Sequence, residues 1–127
     1  MVRLIAGIIG GVSAWFVVAT IADIGFRIAW PGYAAVEKAM AFDLPMLVGR
    51  LAVLGALSSV CAGAVAAWIA KGNRKAALAL GLLLVVIFVP VHYGVWDRFP
   101  VWYHLTFLVS LLPLTLLGAR LVRGASE

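Results

Sequence analysis

His92 and His104 are the only imidazoles in the chain, and they bracket the stretch richest in side chains capable of chemistry. From His92 to Phe107 it runs His-Tyr-Gly-Val-Trp-Asp-Arg-Phe-Pro-Val-Trp-Tyr-His-Leu-Thr-Phe. Two imidazoles on neighbouring helices could ligate haem iron or, with Asp97, a transition metal. Tyr93 and Tyr103 add phenols, so His92, Tyr93, Asp97, Tyr103 and His104 form a candidate ligand site for haem, metal, quinone or a lipid headgroup. With Trp96 and Trp102, the same residues also fit an aromatic belt at a membrane interface, the more ordinary use of such side chains. The sequence specifies no cofactor. It has no CxxC zinc spacing, no phosphate loop and no nucleic-acid module, so nucleic acid is not an expected partner. A nucleophile–His–carboxylate arrangement is not visible either, which ranks catalysis below binding or structural roles.

A second constellation is ionic. Asp23 and Arg27 lie four apart and can pair along one helix face. Arg50 is expected near the same membrane interface, within reach of Asp23, and the three form a candidate interfacial ion pair. In the loop between, Pro31-Gly32 should turn the chain. Tyr33, Val36 and Met40 then follow a helical spacing beside Glu37-Lys38, as in a short amphipathic helix lying on the bilayer. Asp43 with Pro45 has the form of a helix start, Asp as N-cap and Pro in the first turn.

These residues must be positioned by apolar elements. Of 127 residues, 65% are hydrophobic and 12% charged, and mean hydropathy is +1.13. A soluble domain is about half apolar and a quarter charged, so the excess calls for lipid as solvent. A membrane-spanning helix takes about 20 mostly apolar residues. Four runs qualify, Leu4 to Ala22, Leu51 to Ala70, Ala76 to Gly94 and Val101 to Ala119, and none contains Asp, Glu, Lys or Arg. The first is too long in its apolar part for a cleaved leader and is expected to be retained. The expected fold is therefore an all-α, four-helix antiparallel transmembrane bundle forming a single domain, with a short interfacial helix in the first outer loop.

Gly7 and Gly11 give the first run a GxxxG spacing, and Gly55, Ser59 and Gly63 give the second a stripe of small residues. Such stripes let helix backbones approach closely in lipid. They point to an accessory or scaffold subunit, packing in a homo-oligomer or a larger membrane complex. The alternative is a small oligomeric channel or transporter for a non-protonic solute or lipid, lined by Ser13, Ser58, Ser59, Thr106 and Ser110. Absence of a charge at midplane argues against proton coupling. Cys61 is single and can form no intramolecular disulfide.

Orientation follows from charge. Arg3, Lys71, Arg74, Lys75, Arg120 and Arg123 fall on the side shared by the termini, against Glu127 alone. Arg27, Lys38, Arg50 and Arg98 on the opposite side are matched by Asp23, Glu37, Asp43 and Asp97. The whole net charge of +5 thus lies on one face, which predicts cytoplasmic termini in the plasma membrane. A further expectation is an internal repeat, because Phe42-Asp43-Leu44-Pro45 resembles Trp96-Asp97-Arg98-Phe99-Pro100.

Overall fold

The computed structural model describes residues 2–39, 41–71 and 73–126, the last four by backbone alone. Met40 and Glu127, used above for the amphipathic spacing and the charge balance, lie outside them. Among the described residues every regular element is helical. The long helices are α1 (Val2–Ala29), α3 (Leu44–Ile69), α4 (Arg74–Gly94) and α5 (Val101–Ser126), with a short α2 (Tyr33–Ala39). The four long ones are each long and apolar enough to cross a membrane.

Each of the four extends past its apolar run at one end or both, as Asp43 with Pro45 and the Asp23–Arg27 spacing lead one to expect for α3 and α1. α1 continues past Ala22 to Ala29 and carries Asp23 and Arg27 with it. Their ion pair, 2.9 Å between Arg27 Nη2 and Asp23 Oδ2, bridges one turn, and backbone hydrogen bonding continues regardless of side-chain polarity. α3 begins at Leu44, well ahead of Leu51. Asp43 has extended backbone (φ −84°, ψ 175°) and its Oδ1 accepts from Met46 N at 3.0 Å, while Pro45 occupies the first turn. Arg50 therefore lies inside a helix, at the head of a π-helical stretch from Arg50 to Leu57. Its residue types are those of an ordinary helix, and nothing in the sequence marks this change of winding.

Side-chain partners give the directions. Gly7 approaches Ala66 and Ala70, and Asp23 reaches Arg50, so α1 and α3 are antiparallel. Gly55 meets Phe107 and Gly63 meets Thr115, so α3 and α5 run parallel. This last contact is the tightest. A Cβ on Gly63 would overlap the Thr115 carbonyl, and one on Gly118 would overlap the Val60 carbonyl. The small-residue positions Gly7, Gly11, Gly55, Ser59 and Gly63 are all buried, used in contacts between helices of this same chain. Trp15 occupies the centre, 4% exposed. Its ring lies 4.5 Å from Phe88 and 6.0 Å from Phe107. Its indole N–H donates to Ser59 Oγ at 3.0 Å, and Ser59 donates in turn to the Gly55 carbonyl at 2.6 Å. The one polar atom of the tryptophan is thereby satisfied, as its burial requires.

At the end bearing both termini, Arg3 Nη1 donates to the Ile69 carbonyl at the C-terminus of α3, 3.3 Å. Asn73 caps α4, accepting from Lys75 N at 3.0 Å. At the opposite end, Gly32 takes φ +83° in the turn between α1 and α2, a conformation open to a residue without Cβ. α5 follows α4 after a single turn of 3₁₀ helix, Trp96–Arg98.

Candidate functional site

The short link folds the last turn of α4 onto the first turn of α5 and sets His92 against His104. Both are buried, His104 completely. Their Nδ1 atoms are 2.6 Å apart, so one proton lies between them. His104 Nε2 is 3.1 Å from the Trp96 carbonyl, which can only accept, so this nitrogen carries hydrogen. In the neutral pair His104 Nδ1 is then the acceptor and His92 Nδ1 the donor, leaving the lone pair of the couple on His92 Nε2. Aromatic rings fix this arrangement. Trp96 stacks on His104 at 4.4 Å and 10°, and Phe107 lies 4.7 Å from His92.

Of the five residues proposed as a ligand site, three come together: His92, Tyr103 and His104. The other two do not join them. Tyr93 is 82% exposed, because it follows His92 by one residue and points a third of a turn away. Asp97 is exposed in the 3₁₀ turn. Among the described residues no group of three or more His, Cys, Asp or Glu is placed to hold a metal ion. The two imidazoles share one hydrogen bond, between their Nδ1 atoms. The two halves of the suggested repeat meet at a stacked Phe42–Phe99 pair, 5.7 Å and 17°. Their aspartates differ in role, Asp43 capping a helix and Asp97 lying in a turn.

Tyr103 connects this couple to the ionic constellation. Its hydroxyl accepts from Arg50 Nε at 3.3 Å. Arg50 Nη1 also donates to Tyr33 OH at 2.5 Å and lies 3.5 Å from Asp23 Oδ1 and 3.7 Å from Glu37 Oε2. Its guanidinium covers the Phe42 ring at 4.6 Å. Tyr33 OH passes its own proton to Asp23 Oδ1 at 3.0 Å. Arg27 closes the ring of charges, Nη2 to Asp23 at 2.9 Å and Nε to Glu37 at 2.6 Å. Asp23, Arg27 and Arg50 thus stand together, joined by Tyr33 and Glu37 of α2. Two acids and two bases balance, which is how charges are tolerated in weakly hydrated surroundings.

Tyr33 and Glu37 were not among the sequence candidates. Their signal was the i, i+4 spacing, which puts both on one face of α2. The apolar spacing turned Tyr33 toward lipid. The structure instead buries it fully, among Phe26, Trp30 and Phe42. Burial pushes its phenol up to about 12, against the opposing pull of Arg50. The Glu37 carboxyl is raised above the usual carboxylate range, first by burial and then by the Asp23 carboxylate, with Arg27 pulling the other way.

The cluster borders a cavity of about 340 Å³ lined by Ala19, Thr20, Asp23, Ile24 and Arg27 of α1, Glu37 of α2, and Arg50 and Leu54 of α3. Ala19 is eight residues before Arg27 on α1, so this open groove runs ~12 Å along the helices, from Ala19 at one end to the charged side chains at the other. Arg50, Leu54 and Ser59 all face α1, at spacings of four and then five, the second being the interval of a π turn. The π stretch thus lets one helix present Arg50 to the cavity and Ser59 to Trp15.

Compared with protein-family models, curated proteins and solved structures, the chain matches none.

Proposed function

We propose that this protein is a single-domain, multi-pass protein of the plasma membrane, its four long helices packed as a transmembrane bundle with both termini cytoplasmic. In this reading it acts as a binding protein for an amphiphile, received at the outer face between α1, α2 and α3. Four helices of spanning length and the one-sided basic charge support the topology. The cavity carries the functional reading, with paired charges at its mouth and Ala19, Ile24 and Leu54 on its walls. A polar head and an apolar chain are both accommodated along one axis, as a site at a lipid–water boundary requires.

The accessory-subunit reading loses its main support, because the stripes of small residues are consumed by contacts within the chain. For the channel reading the hydroxyls divide: Ser58 is fully buried with no hydrogen-bond partner among the described residues. Ser13, Ser59 and Ser110 donate to carbonyls of their own helices, Ile9, Gly55 and Phe107.

The test is amphiphile retention. Native mass spectrometry of the protein extracted in mild detergent is expected to find one bound amphiphile per chain. Leu54→Trp, which fills the cavity, should abolish it without changing helix content. Equal retention by wild type and Leu54→Trp contradicts the assignment.

A further inference from the structure

Resting on that binding reading, we propose that the cavity is selective for a zwitterionic headgroup, an anion and a cation a few bonds apart at the end of an apolar chain, as in phosphoethanolamine or phosphocholine lipids. The argument begins with the charge count. Arg27 and Arg50 face Asp23 and Glu37, so the mouth of the cavity has no net charge. A purely anionic head could take the arginines only by displacing carboxylates, which would then be left without partners in a poorly hydrated place. A zwitterion exchanges instead of displacing: its phosphate takes the guanidinium, its ammonium takes the released carboxylate, and every charge keeps an opposite.

The distances indicate where it enters. Arg27 holds both acids tightly, at 2.9 and 2.6 Å. Arg50 holds the same acids loosely, at 3.5 and 3.7 Å, well beyond the 2.7–2.9 Å or so of a charge-assisted hydrogen bond. Its orientation is set by the hydroxyls of Tyr33 and Tyr103, which are neutral and need not be displaced. Arg50 is therefore the phosphate anchor and Glu37 the ammonium anchor, with the loose Arg50–Glu37 contact as the opening between them. At about 340 Å³ the groove is at the lower end of the range of small-ligand sites, ~300–1,000 Å³. Ile24 and Leu54 supply the apolar wall for that chain.

The experiment titrates purified full-length protein in an uncharged detergent with four short-chain ligands, a phosphatidylcholine, a phosphatidylethanolamine, a phosphatidylglycerol and a quaternary-ammonium amphiphile, and with free glycerophosphocholine. Wild type is expected to bind both zwitterionic lipids about tenfold more tightly than phosphatidylglycerol. Glu37→Gln, which leaves a net positive mouth, should reverse that order. Arg27→Gln provides a second reading in the opposite sense, gaining affinity for a cationic amphiphile. Free glycerophosphocholine binding as tightly as the lipid assigns the zwitterion to a soluble source, and weaker binding assigns it to a lipid; both support the zwitterion. Wild-type affinity that is equal for phosphatidylglycerol and the zwitterionic lipids, with no change of order in either variant, overturns the selectivity. Failure of every amphiphile to bind wild type overturns the binding reading beneath it.

Discussion

Arg50 has the most consequential side chain at the loop end of the molecule, since it touches α1, α2 and α5 from its place on α3. Its side chain is 19% exposed. Arg50→Met strips two carboxylates and two hydroxyls of a shared donor, and is expected to cost about 1–3 kcal/mol in mixed-micelle unfolding. Arg27→Met should cost less, because that side chain is half exposed and Asp23 and Glu37 keep Arg50 beside them. Tyr33 gives a pH dependence of definite sign. Its phenol ordinarily titrates at 10.0 but is held at about 12 in the folded chain. The folded state therefore keeps a proton that the unfolded state releases. Stability from this source is full below pH 10 and declines as pH rises through 12, and Tyr33→Phe should flatten that slope in alkaline melts. For the histidines, ¹⁵N spectra should find His104 protonated at Nε2 and His92 at Nδ1; the opposite pair of tautomers contradicts the hydrogen-bond assignment. Among these residues, Asp23, Arg27 and Arg50 could be grouped from spacing and expected depth. Tyr33 and Glu37 could not, because only the fold-back of α2 brings their face onto the cluster, and a periodicity cannot distinguish an inward face from a lipid-facing one.

At the scale of elements, the closest packing is between the parallel helices α3 and α5. Gly63→Ala and Gly118→Ala each drive a methyl into a backbone carbonyl of the opposite helix, which no rotamer can relieve. Each is expected to destabilise by about 1–3 kcal/mol or more in thermal unfolding. Gly25→Ala is the control: nothing lies within 4 Å of the added carbon, and the helix should gain roughly 0.5–1 kcal/mol. The four long helices were readable from hydropathy alone, since lipid-compatible runs leave few alternatives to helix. Their ends were less so. Hydropathy falls at Asp23 and Arg27 while the helix continues, because an i, i+4 ion pair suits the helix it interrupts chemically. The stripes were readable as packing surfaces, but not as surfaces for this chain's own helices. The π stretch from Arg50 to Leu57 left no residue-level sign; Arg50 at its head reaches Asp23, and Ser59, just past its end, reaches Trp15.

For the molecule as a whole, polar side chains gather at one end of the helices and basic ones at the other. The first end is neutral and internally paired, built from residues of α1, α2, α3 and α5. The second carries Arg3, Lys71, Arg74, Lys75 and Arg120. That division is what a bilayer would sort, and in the proposed orientation the groove opens toward the outer leaflet. The most direct measurement is accessibility in a Cys61→Ala background. Lys38→Cys, on α2 beside the cavity mouth, should react with an impermeant maleimide on intact cells, and Asn73→Cys, between α3 and α4, only after permeabilisation. Labelling of Asn73→Cys on intact cells with Lys38→Cys protected would contradict the account.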